Sequence, residues 1–437
     1  MAENYKDEKG ILNKLGIESL NPMQQSAYKA IVSYSEVVLL SPTGTGKTLA
    51  FLLPILSQLN AEIKGIQTLI LVPSRELAIQ IENVIREMGS GFKVNAVYGG
   101  KAGSKDREEI KHPPTILIGT PGRVADHIRR GTVDTTQIKT LVLDEYDKSL
   151  EIGFAAEMEE VIISLPKTIK KVLTSATQKV KIPLFVGIRQ AKHLNFIKDI
   201  SIPLQLKTVV SASEDKLETL VNLLQHIGKK SGIVFCNLKD SIQKVRDYLT
   251  EKNIDSVSFY GGMEQIDRER ALIKFRNGSS RLLIATDLAA RGIDVPEMDF
   301  IVHYELPARP DEFVHRNGRT ARMNCEGTAY ILKWEQETLP SFIVGADVLK
   351  LKHNKEDLAL VWETLYVSAG RKDKISKGDI AGLFIKQGKL NADELGMIEL
   401  KQECTYVSVP RSKSKMLIQL LNNCRLKKVK VRISLLA

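Results

Sequence analysis

Hydrophobic and polar positions follow one rhythm through the first part of the chain. Short apolar runs rich in β-branched residues alternate with longer amphipathic stretches, at residues 37–40, 68–72, 94–98, 115–118, 140–143 and 171–173. Apolar runs of this length are typical of buried strands, and the stretches between them of amphipathic helices. The rhythm therefore predicts βαβ units around a parallel sheet.

The same rhythm restarts after a polar stretch around residues 198–215. Its apolar runs lie at residues 232–236, 257–260, 281–285, 300–304 and 328–332. This second series predicts a second α/β domain. We place the first domain at 1–200, a linker at 201–215, the second domain at 216–348 and a helical bridge at 349–361.

The last segment, residues 362–437, has a different order of elements. The pattern predicts strands at 364–368, 396–400, 404–409 and 427–433, with helices at 377–386 and 412–421. The order βαββαβ is that of a small RRM-like α+β sandwich, a fold that commonly binds RNA. The chain thus reads as two parallel-sheet domains followed by one small α+β domain.

Composition narrows the class of protein. The 437 residues are 43% hydrophobic and 26% charged, which is ordinary for a globular chain and excludes a disordered or fibrous one. No apolar run approaches the roughly 18 residues of a membrane span, and residues 1–10 are charged where a secretory signal has an apolar core. We expect a cytoplasmic protein without membrane association.

The positive charge is concentrated near the end of the sequence. Residues 361–437 hold 15 Lys and Arg against 7 Asp and Glu, a net charge of +8 out of a total of +11. A basic segment of this kind favours an anionic partner such as nucleic acid.

A candidate phosphate site follows the first predicted strand. The loop Ser41-Pro42-Thr43-Gly44-Thr45-Gly46-Lys47-Thr48 lies between an apolar strand and an apolar helix, as a P-loop requires. Gly44 and Gly46 allow backbone N–H groups to surround phosphates at the helix N-terminus. Lys47 supplies positive charge for the outer phosphates, and Thr48 supplies a hydroxyl for Mg²⁺.

An acidic pair ends another predicted strand of the first domain. Asp144 and Glu145 follow the apolar run at residues 140–143. A P-loop needs such carboxylates, so we expect Asp144 to hold Mg²⁺ mostly through water and Glu145 to activate the attacking water.

From this point the chain resembles the DEAD-box ATP-dependent RNA helicases of superfamily 2, over roughly residues 10–335. The stretches that carry the resemblance are Gly16-Ile17 with Pro22-Met23-Gln24, Pro73-Ser74-Arg75-Glu76-Leu77-Ala78, Gly99-Gly100, Thr120-Pro121-Gly122-Arg123, Asp144-Glu145-Tyr146-Asp147, Ser175-Ala176-Thr177, Gln265 with Arg268, Ala285-Thr286-Asp287, Arg291-Gly292-Ile293-Asp294 and His315-Arg316-Asn317-Gly318-Arg319-Thr320-Ala321-Arg322. The resemblance implies two tandem RecA-like domains that bind ATP, Mg²⁺ and RNA.

The resemblance also implies roles for individual residues. ATP-binding residues would be Gln24, Thr43, Gly44, Thr45, Gly46, Lys47, Thr48 and Asp294. Catalytic residues would be Lys47, Asp144, Glu145 and the arginine fingers Arg319 and Arg322, with Thr48 and Asp144 at the metal. Asp147, Ser175, Thr177 and His315 would couple the ATP state to domain closure. The RNA backbone would be held by Arg75, Gly100, Thr120, Gly122, Arg123, Gln265, Arg268 and Thr286.

Two positions depart from the family pattern. Tyr146 stands where the family has alanine, but all three acids of the motif remain, so we expect activity to survive. Ile17 stands where the family usually has an aromatic ring beside the adenine, and Tyr5 is the obvious upstream substitute. We expect weaker nucleotide binding from this change.

The C-terminal segment is similar to the RNA-binding domain of the DbpA group of bacterial helicases, which recognises ribosomal RNA. The similarity rests on residues 365–367, 370–375, 378–382, 396–400 and 406–410. Arg371, Lys372 and Lys374 are its first candidates for phosphate contacts. Tyr366 and Tyr406 are placed on strands, where they either stack on bases or belong to the core or surface.

These observations predict an RNA-stimulated ATPase that unwinds structured RNA. We expect ribosomal RNA as the target, pre-ribosomal particles as the setting and a monomer as the working form. Two alternatives stay open. The same residues would serve an ATP-gated clamp that remodels protein–RNA complexes, or a cold-shock-type helicase acting on diverse RNAs.

Overall fold

The computed structural model describes residues 8–100, 110–177, 181–197, 204–287, 298–320, 326–352 and 360–436. The chain divides into two compact units, the first ending before Leu204 and the second holding most of the residues from Leu204 onward. The helices are α1 Glu8–Leu15, α2 Pro22–Ser33, α3 Lys47–Leu56, α4 Arg75–Met88, α5 Pro121–Arg129, α6 Tyr146–Glu151, α7 Ala155–Ile163, α8 Leu217–Ile227, α9 Lys239–Glu251, α10 Gln265–Arg276, α11 Pro310–Asn317, α12 Lys377–Gly382 and α13 Ser414–Leu421.

The first unit is built on a parallel sheet of seven described strands. They are β1 Glu36–Leu40, β2 Thr68–Leu71, β3 Val94–Val97, β4 Ile116–Gly119, β5 Thr140–Leu143, β6 Lys170–Ser175 and β7 Lys192–Asn195. Their order is β3-β4-β2-β5-β6-β1-β7. The central strands are buried on both faces, as expected for a parallel sheet covered by helices on each side.

The second unit repeats this arrangement. Its strands are β8 Leu204–Ser211, β9 Gly232–Phe235, β10 Val257–Phe259, β11 Leu282–Ala285, β12 Phe300–His303, β13 Gly327–Trp334 and β14 Asp347–Val348. Their order is β10-β11-β9-β12-β13-β8-β14, all parallel. The two parallel sheets confirm the predicted tandem α/β architecture.

The predicted linker at 201–215 requires a correction. Residues 204–211 form β8, which pairs along its whole length with β13. This strand lacks a continuous apolar run because it contains the polar Lys207, Thr208 and Ser211, although its second half is largely buried. The second sheet therefore begins earlier than we predicted.

A small antiparallel sheet completes the second unit. Its strands are β15 Trp362–Val367, β16 Ile398–Leu400, β17 Thr405–Pro410 and β20 Ile433–Leu435, in the order β16-β17-β15-β20. The hairpin β18 Arg425–Leu426 and β19 Val429–Lys430 lies apart from it. This confirms the small α+β domain but corrects its last strand, which is residues 433–435 rather than 427–433.

The predicted helical bridge at 349–361 falls mostly on residues 353–359, which lie outside the described residues. The described residues on either side, 349–352 and 360–361, are not helical. Among the described helices, none is long and apolar enough to span a lipid bilayer.

Candidate functional site

The carboxyl edge of the first sheet carries the predicted site residues in two groups. The neighbouring strands β5, β6 and β1 lead into Asp144, Ser175 and the P-loop. The neighbouring strands β2, β4 and β3 lead into Arg75, Thr120 and the Gly99-Gly100 turn. Since parallel strands all end at the same edge, the strand order separates the predicted ATP residues from the predicted RNA residues.

Side chains of the P-loop form hydrogen bonds within the loop. Gly44 and Gly46 have φ values of +81° and +83°, a conformation that glycine adopts without strain. The Lys47 ammonium is buried and donates 2.8 Å hydrogen bonds to the carbonyl oxygens of Ser41 and Pro42. Thr45 Oγ1 lies 2.8 Å from Ser41 Oγ. A cation is thus held inside a loop of backbone groups, which suits a polyphosphate.

Gln24 joins helix α2 to this loop. Asn21 caps α2 and accepts a bond from the Gln24 backbone, while the Gln24 side chain accepts a bond from the Asn21 N–H at 3.0 Å. The other end of the Gln24 amide donates to the Gly46 carbonyl at 3.3 Å. The predicted adenine-reading residue therefore contacts the predicted phosphate loop directly.

Asp144 and Glu145 lie at the end of β5, where both side chains are buried. Burial, with a smaller contribution from the Glu145 carboxylate, raises the pKa of Asp144 to about 6. Thr174 Oγ1 donates to Asp144, and Lys47 is close enough to oppose the increase. Glu145 adopts φ +49°, a left-handed conformation rare for a residue with a side chain. A non-glycine residue held there is typical of a functional position.

The predicted coupling residues of the first unit form one hydrogen-bonded group. Thr177 Oγ1 donates to Asp147 Oδ2 at 2.8 Å, and the Thr177 N–H donates to Ser175 Oγ at 2.9 Å. Asp147 is fully buried, and burial raises its pKa. The end of β6 is thus tied to the acidic motif on α6.

The two departures from the family pattern both lie in packed surroundings. Tyr146 is 3% exposed, belongs to a core cluster with Leu143 and Met158, and its pKa is raised to about 12 by burial. Ile17 is half-buried and packs against the core beside α2. Tyr5 lies outside the described residues.

The predicted RNA residues of the first unit follow the ends of β2, β3 and β4. The guanidinium of Arg75 lies against Gly100, where an added Cβ would come within 2.4 Å of Arg75 Nη1. Thr120 caps α5, its backbone N–H bonds to Val97, and Arg123 pairs with Asp126 at 3.1 Å. Gly122 lies in the first turn of the same helix.

The predicted RNA residues of the second unit also meet at a sheet edge. Arg268 donates to the Tyr260 carbonyl at 3.1 Å and lies over the Phe259 ring at 4.4 Å from its centroid. The Thr286 N–H bonds to the Phe259 carbonyl at 3.4 Å. Gln265 begins α10, three residues before Arg268. The three residues therefore gather where β10 and β11 end.

Arg316 is a structural residue that our sequence interpretation did not single out. It is 1% exposed and bonds to Asp287 Oδ1, Asn237 Oδ1 and the Glu305 carbonyl, each at 2.7 Å. The available sequence signal was that Arg316 and Asp287 both lie in stretches that carry the family resemblance. The predicted His315 and Arg319 flank it and are buried, whereas Asp294 and Arg322 lie outside the described residues.

The basic candidates of the C-terminal domain lie near one another. The N–H groups of Arg371 and Lys372 donate to carbonyls of the β16–β17 turn at 3.0 Å. Lys427 reaches the Lys374 carbonyl at 2.9 Å. Arg371, Lys372 and Lys374 are all exposed. The fold therefore places these basic groups at one end of the domain.

The two tyrosines lie on the sheet face that RRM domains generally use for bases. Tyr366 and Tyr406 pair across β15 and β17, with ring centroids 5.9 Å apart. Tyr406 is buried together with Ile273 of α10. This face is therefore covered by the neighbouring domain, and the two rings belong to a packed cluster.

The donor set at the P-loop fits Mg²⁺. Across the described ranges, no three His, Cys, Asp or Glu side chains come together as a metal cluster. Mg²⁺ bound with a nucleotide needs none, because it uses one or two protein oxygens, phosphates and water. The Asp144 carboxylate and the Thr48 hydroxyl are oxygen donors of that kind.

The first parallel sheet carries a P-loop with an acidic partner, and the second carries the predicted RNA-binding residues at its edge. This combination is typical of an ATP-driven helicase. Comparison with known proteins agrees. Residues 21–183 match the DEAD/DEAH box helicase family, residues 215–324 the helicase conserved C-terminal domain, and residues 364–435 the DbpA RNA binding domain.

Individual relatives cover most of the chain. The ATP-dependent RNA helicase DbpA of Escherichia coli is 34% identical, over 91% of this chain and 90% of its own length. DbpA of Bacillus subtilis is 29% identical, over 99% and 98%. The structure of S. cerevisiae Dbp5 bound to RNA and ADP BeF3 matches with a TM-score of 0.67 at 28% identity, over 75% of this chain and 87% of that one.

The chain belongs to the DEAD/DEAH box helicase family. It is an ATP-dependent RNA helicase, an enzyme whose ATPase is stimulated by RNA.

Proposed function

We propose that this helicase acts on structured ribosomal RNA during ribosome assembly, as a cytoplasmic monomer. The observation that carries the proposal is the C-terminal domain, whose basic Arg371, Lys372 and Lys374 lie at one end of a fold similar to the DbpA RNA binding domain. Most of the excess positive charge also lies there. Such a domain would hold the two parallel-sheet domains near the RNA substrate and raise the local concentration of duplex.

In the proposed reaction, the backbone of the P-loop and Lys47 bind the phosphates of ATP, and Gln24 reads the adenine. Thr43, Gly44, Thr45, Gly46 and Asp294 complete the nucleotide site in this proposal. Glu145 accepts the proton of the attacking water as its oxygen bonds to the γ-phosphorus and the bond to ADP breaks. Thr48 and Asp144 would hold Mg²⁺, which neutralises phosphate charge.

Three further sets of residues complete this proposal. Arg319 and Arg322 neutralise charge that develops on the γ-phosphate. Asp147, Ser175, Thr177 and His315 couple the nucleotide state to RNA binding. The RNA strand would be held by Arg75, Gly100, Thr120, Gly122, Arg123, Gln265, Arg268 and Thr286. These supply guanidinium, hydroxyl, amide and backbone donors, which suit a sugar–phosphate chain of any sequence.

The proposal is tested by comparing ATPase stimulation by large-subunit ribosomal RNA and by messenger RNA of equal length. We expect half-maximal stimulation at a concentration at least about tenfold lower for ribosomal RNA, since specific contacts add to phosphate contacts. Equal stimulation would favour the cold-shock-type alternative. Stimulation without separation of a short duplex would favour the ATP-gated clamp.

The ATP site is tested by Lys47→Ala, with Lys64→Ala as the control because Lys64 is an exposed loop residue. Losing the buried ammonium should lower RNA-stimulated ATPase about a hundredfold or more, because charge stabilisation at a phosphoryl group carries most of the catalysis. The control should match the wild type. An active Lys47→Ala variant would show that this loop is not the catalytic phosphate site.

A further inference from the structure

The sheet of the C-terminal domain has two faces with different partners. Leu365, Val367, Val407 and Val409 alternate onto one face and form the domain's own core. Thr364, Tyr366, Tyr406 and Ser408 alternate onto the other face, in the cross-strand pairs Thr364 with Ser408 and Tyr366 with Tyr406. Thr364 and Ser408 are nevertheless buried. Their burial shows that this second face is also covered.

The cover is the C-terminal half of α10 and the turn after it. Ile273 is fully buried in one cluster with Tyr406 and Leu436. Ser408 Oγ donates a 2.7 Å hydrogen bond to the carbonyl of Asn277, and Ser279 bonds to Thr364. The contact therefore combines an apolar centre with buried hydrogen bonds, as specific interfaces do.

An ion pair lies beside this centre. Arg276 Nε and Nη2 each donate to a separate oxygen of Glu399 at 2.8 Å. The two side chains are only 17% and 14% exposed. Such a two-pronged pair fixes orientation as well as distance, because both guanidinium bonds must align with the carboxylate plane.

The other end of α10 carries predicted RNA contacts. Gln265 begins the helix, and Arg268 lies one turn later. Arg268 and Arg276 are eight residues apart, which is about 12 Å along a helix that rises 1.5 Å per residue. Helix α10 thus connects the surface that contacts the C-terminal domain with the predicted RNA-binding residues Gln265 and Arg268.

We propose that Arg276 and Glu399 are positioning residues of the unwinding reaction. Their ion pair holds the C-terminal domain in one orientation on α10, so that an RNA gripped by that domain presents its flanking strand to Gln265 and Arg268 at a fixed spacing. This inference rests on the proposed function, because it requires that the C-terminal domain grips structured RNA.

The experiment measures unwinding of a short duplex joined to a large-subunit ribosomal RNA fragment by single-stranded spacers of increasing length. The full-length wild type should show a spacer length at which unwinding is fastest. Arg276→Glu and Glu399→Arg should each lower the rate at that spacer about tenfold and flatten the dependence on spacer length, since each places like charges together. The double variant Arg276→Glu with Glu399→Arg should restore both.

Three controls separate positioning from folding. Arg246→Glu makes the same charge change at a half-exposed arginine of α9 and should behave as the wild type. All variants should keep wild-type ATPase with unstructured single-stranded RNA, because the motor residues are untouched. Arg276→Lys keeps the charge but loses the two-pronged bond, so it should give a smaller loss without any folding defect.

The outcomes separate this inference from the proposed function. If the reversal variants keep the wild-type spacer optimum, or if the double variant fails to restore it, the positioning role is refuted while the helicase stands. If the wild type itself does not bind the fragment or prefers no spacer length, the tethering proposal fails and the inference fails with it.

Discussion

Gly100 stands where a side chain would collide with the guanidinium of Arg75, a predicted RNA-binding group. Gly100 has φ +87°, and a Cβ there would lie 2.4 Å from Arg75 Nη1. Its neighbour Gly99 would place a Cβ at 3.7 Å from the same guanidinium, an ordinary contact. The two positions therefore form a matched pair for mutation.

Gly100→Ala should weaken RNA binding, because the new methyl group displaces Arg75 and the backbone conformation is strained. We expect the RNA concentration for half-maximal ATPase to rise about tenfold, an effect equivalent to roughly 1.4 kcal/mol, with the KM for ATP unchanged. Gly99→Ala should leave both quantities near wild type. Equal effects of the two substitutions would mean that Arg75 is not the affected group.

Asp144 makes stability depend on pH. Its pKa is raised by burial from the usual 3.8 to about 6, so the folded state prefers the neutral acid. This preference stabilises the fold fully below pH 3.8 and is lost as pH rises through about 6. At neutral pH the charged carboxylate therefore destabilises the fold by about 3 kcal/mol.

Asp144→Asn should accordingly raise the melting temperature of the nucleotide-free protein at pH 7.5, since the amide keeps an acceptor for Thr174 without the charge. The gain should shrink steadily between about pH 6 and pH 4. Thermal unfolding of both proteins over this range checks the prediction. A gain that stayed constant with pH would show that Asp144 has no raised pKa.

The residues that we propose for the ATP site could be identified from the sequence. The P-loop, Asp144 and Glu145 are contiguous with apolar strands, so local pattern was sufficient to predict them. The Arg316 clamp was not predicted, because its partners Asn237, Asp287 and Glu305 come from three separate strand ends. Only the strand order of the folded sheet brings them together.

Arg316 connects helix α11 to the strand ends of the second sheet through its hydrogen bonds. Arg316→Gln should destabilise the second unit by about 3 kcal/mol, because it leaves the Asp287 carboxylate without its charged partner. Arg309→Gln is the control, since Arg309 is a half-exposed arginine at the start of the same helix that pairs with Glu312. It should cost less than about 1 kcal/mol. Urea unfolding measures both, and equal losses would contradict the clamp.

The sequence predicts the strands that have a clear apolar pattern, but not those that are exposed or very short. The fully buried β2, β5 and β9 read directly as apolar runs. Strand β7 is mostly exposed and β14 has two residues, so neither has an apolar signature. The alternating Lys427-Lys428-Val429-Lys430-Val431 resembles a sheet strand but includes half of a separate hairpin.

Most of the excess positive charge of the chain lies outside the two parallel-sheet domains. Residues 361–437 carry +8 of the net +11. A double substitution Arg371→Ala with Lys372→Ala should reduce the slope of log affinity against log salt by about 1 to 2, since each phosphate contact contributes about 0.7 to 0.9. Lys386→Ala with Lys389→Ala removes the same charge from other positions in the domain.

The control pair should leave the slope within about 0.5 of wild type, because general charge without phosphate contact releases few counterions. Filter binding with a large-subunit ribosomal RNA fragment at several salt concentrations measures both slopes. Equal reductions by the two pairs would place the phosphate contacts outside residues 371 and 372.

The docking of the C-terminal domain could not be predicted from its own sequence. Tyr366 and Tyr406 alternate with core residues and so were placed on strands, but alternation does not reveal what covers the second face of the sheet. The cover is Ile273, more than 130 residues away from Tyr406. Long-range contacts of this kind arise from the packing of two domains rather than from a local pattern.

We propose that the C-terminal domain directs this helicase to ribosomal RNA. The test is to crosslink the wild type and the Arg371→Ala with Lys372→Ala variant to RNA in cells and to sequence the bound RNA. We expect wild-type reads to accumulate on large-subunit ribosomal RNA and the variant to lose this enrichment. Wild-type reads scattered over messenger RNAs would contradict it.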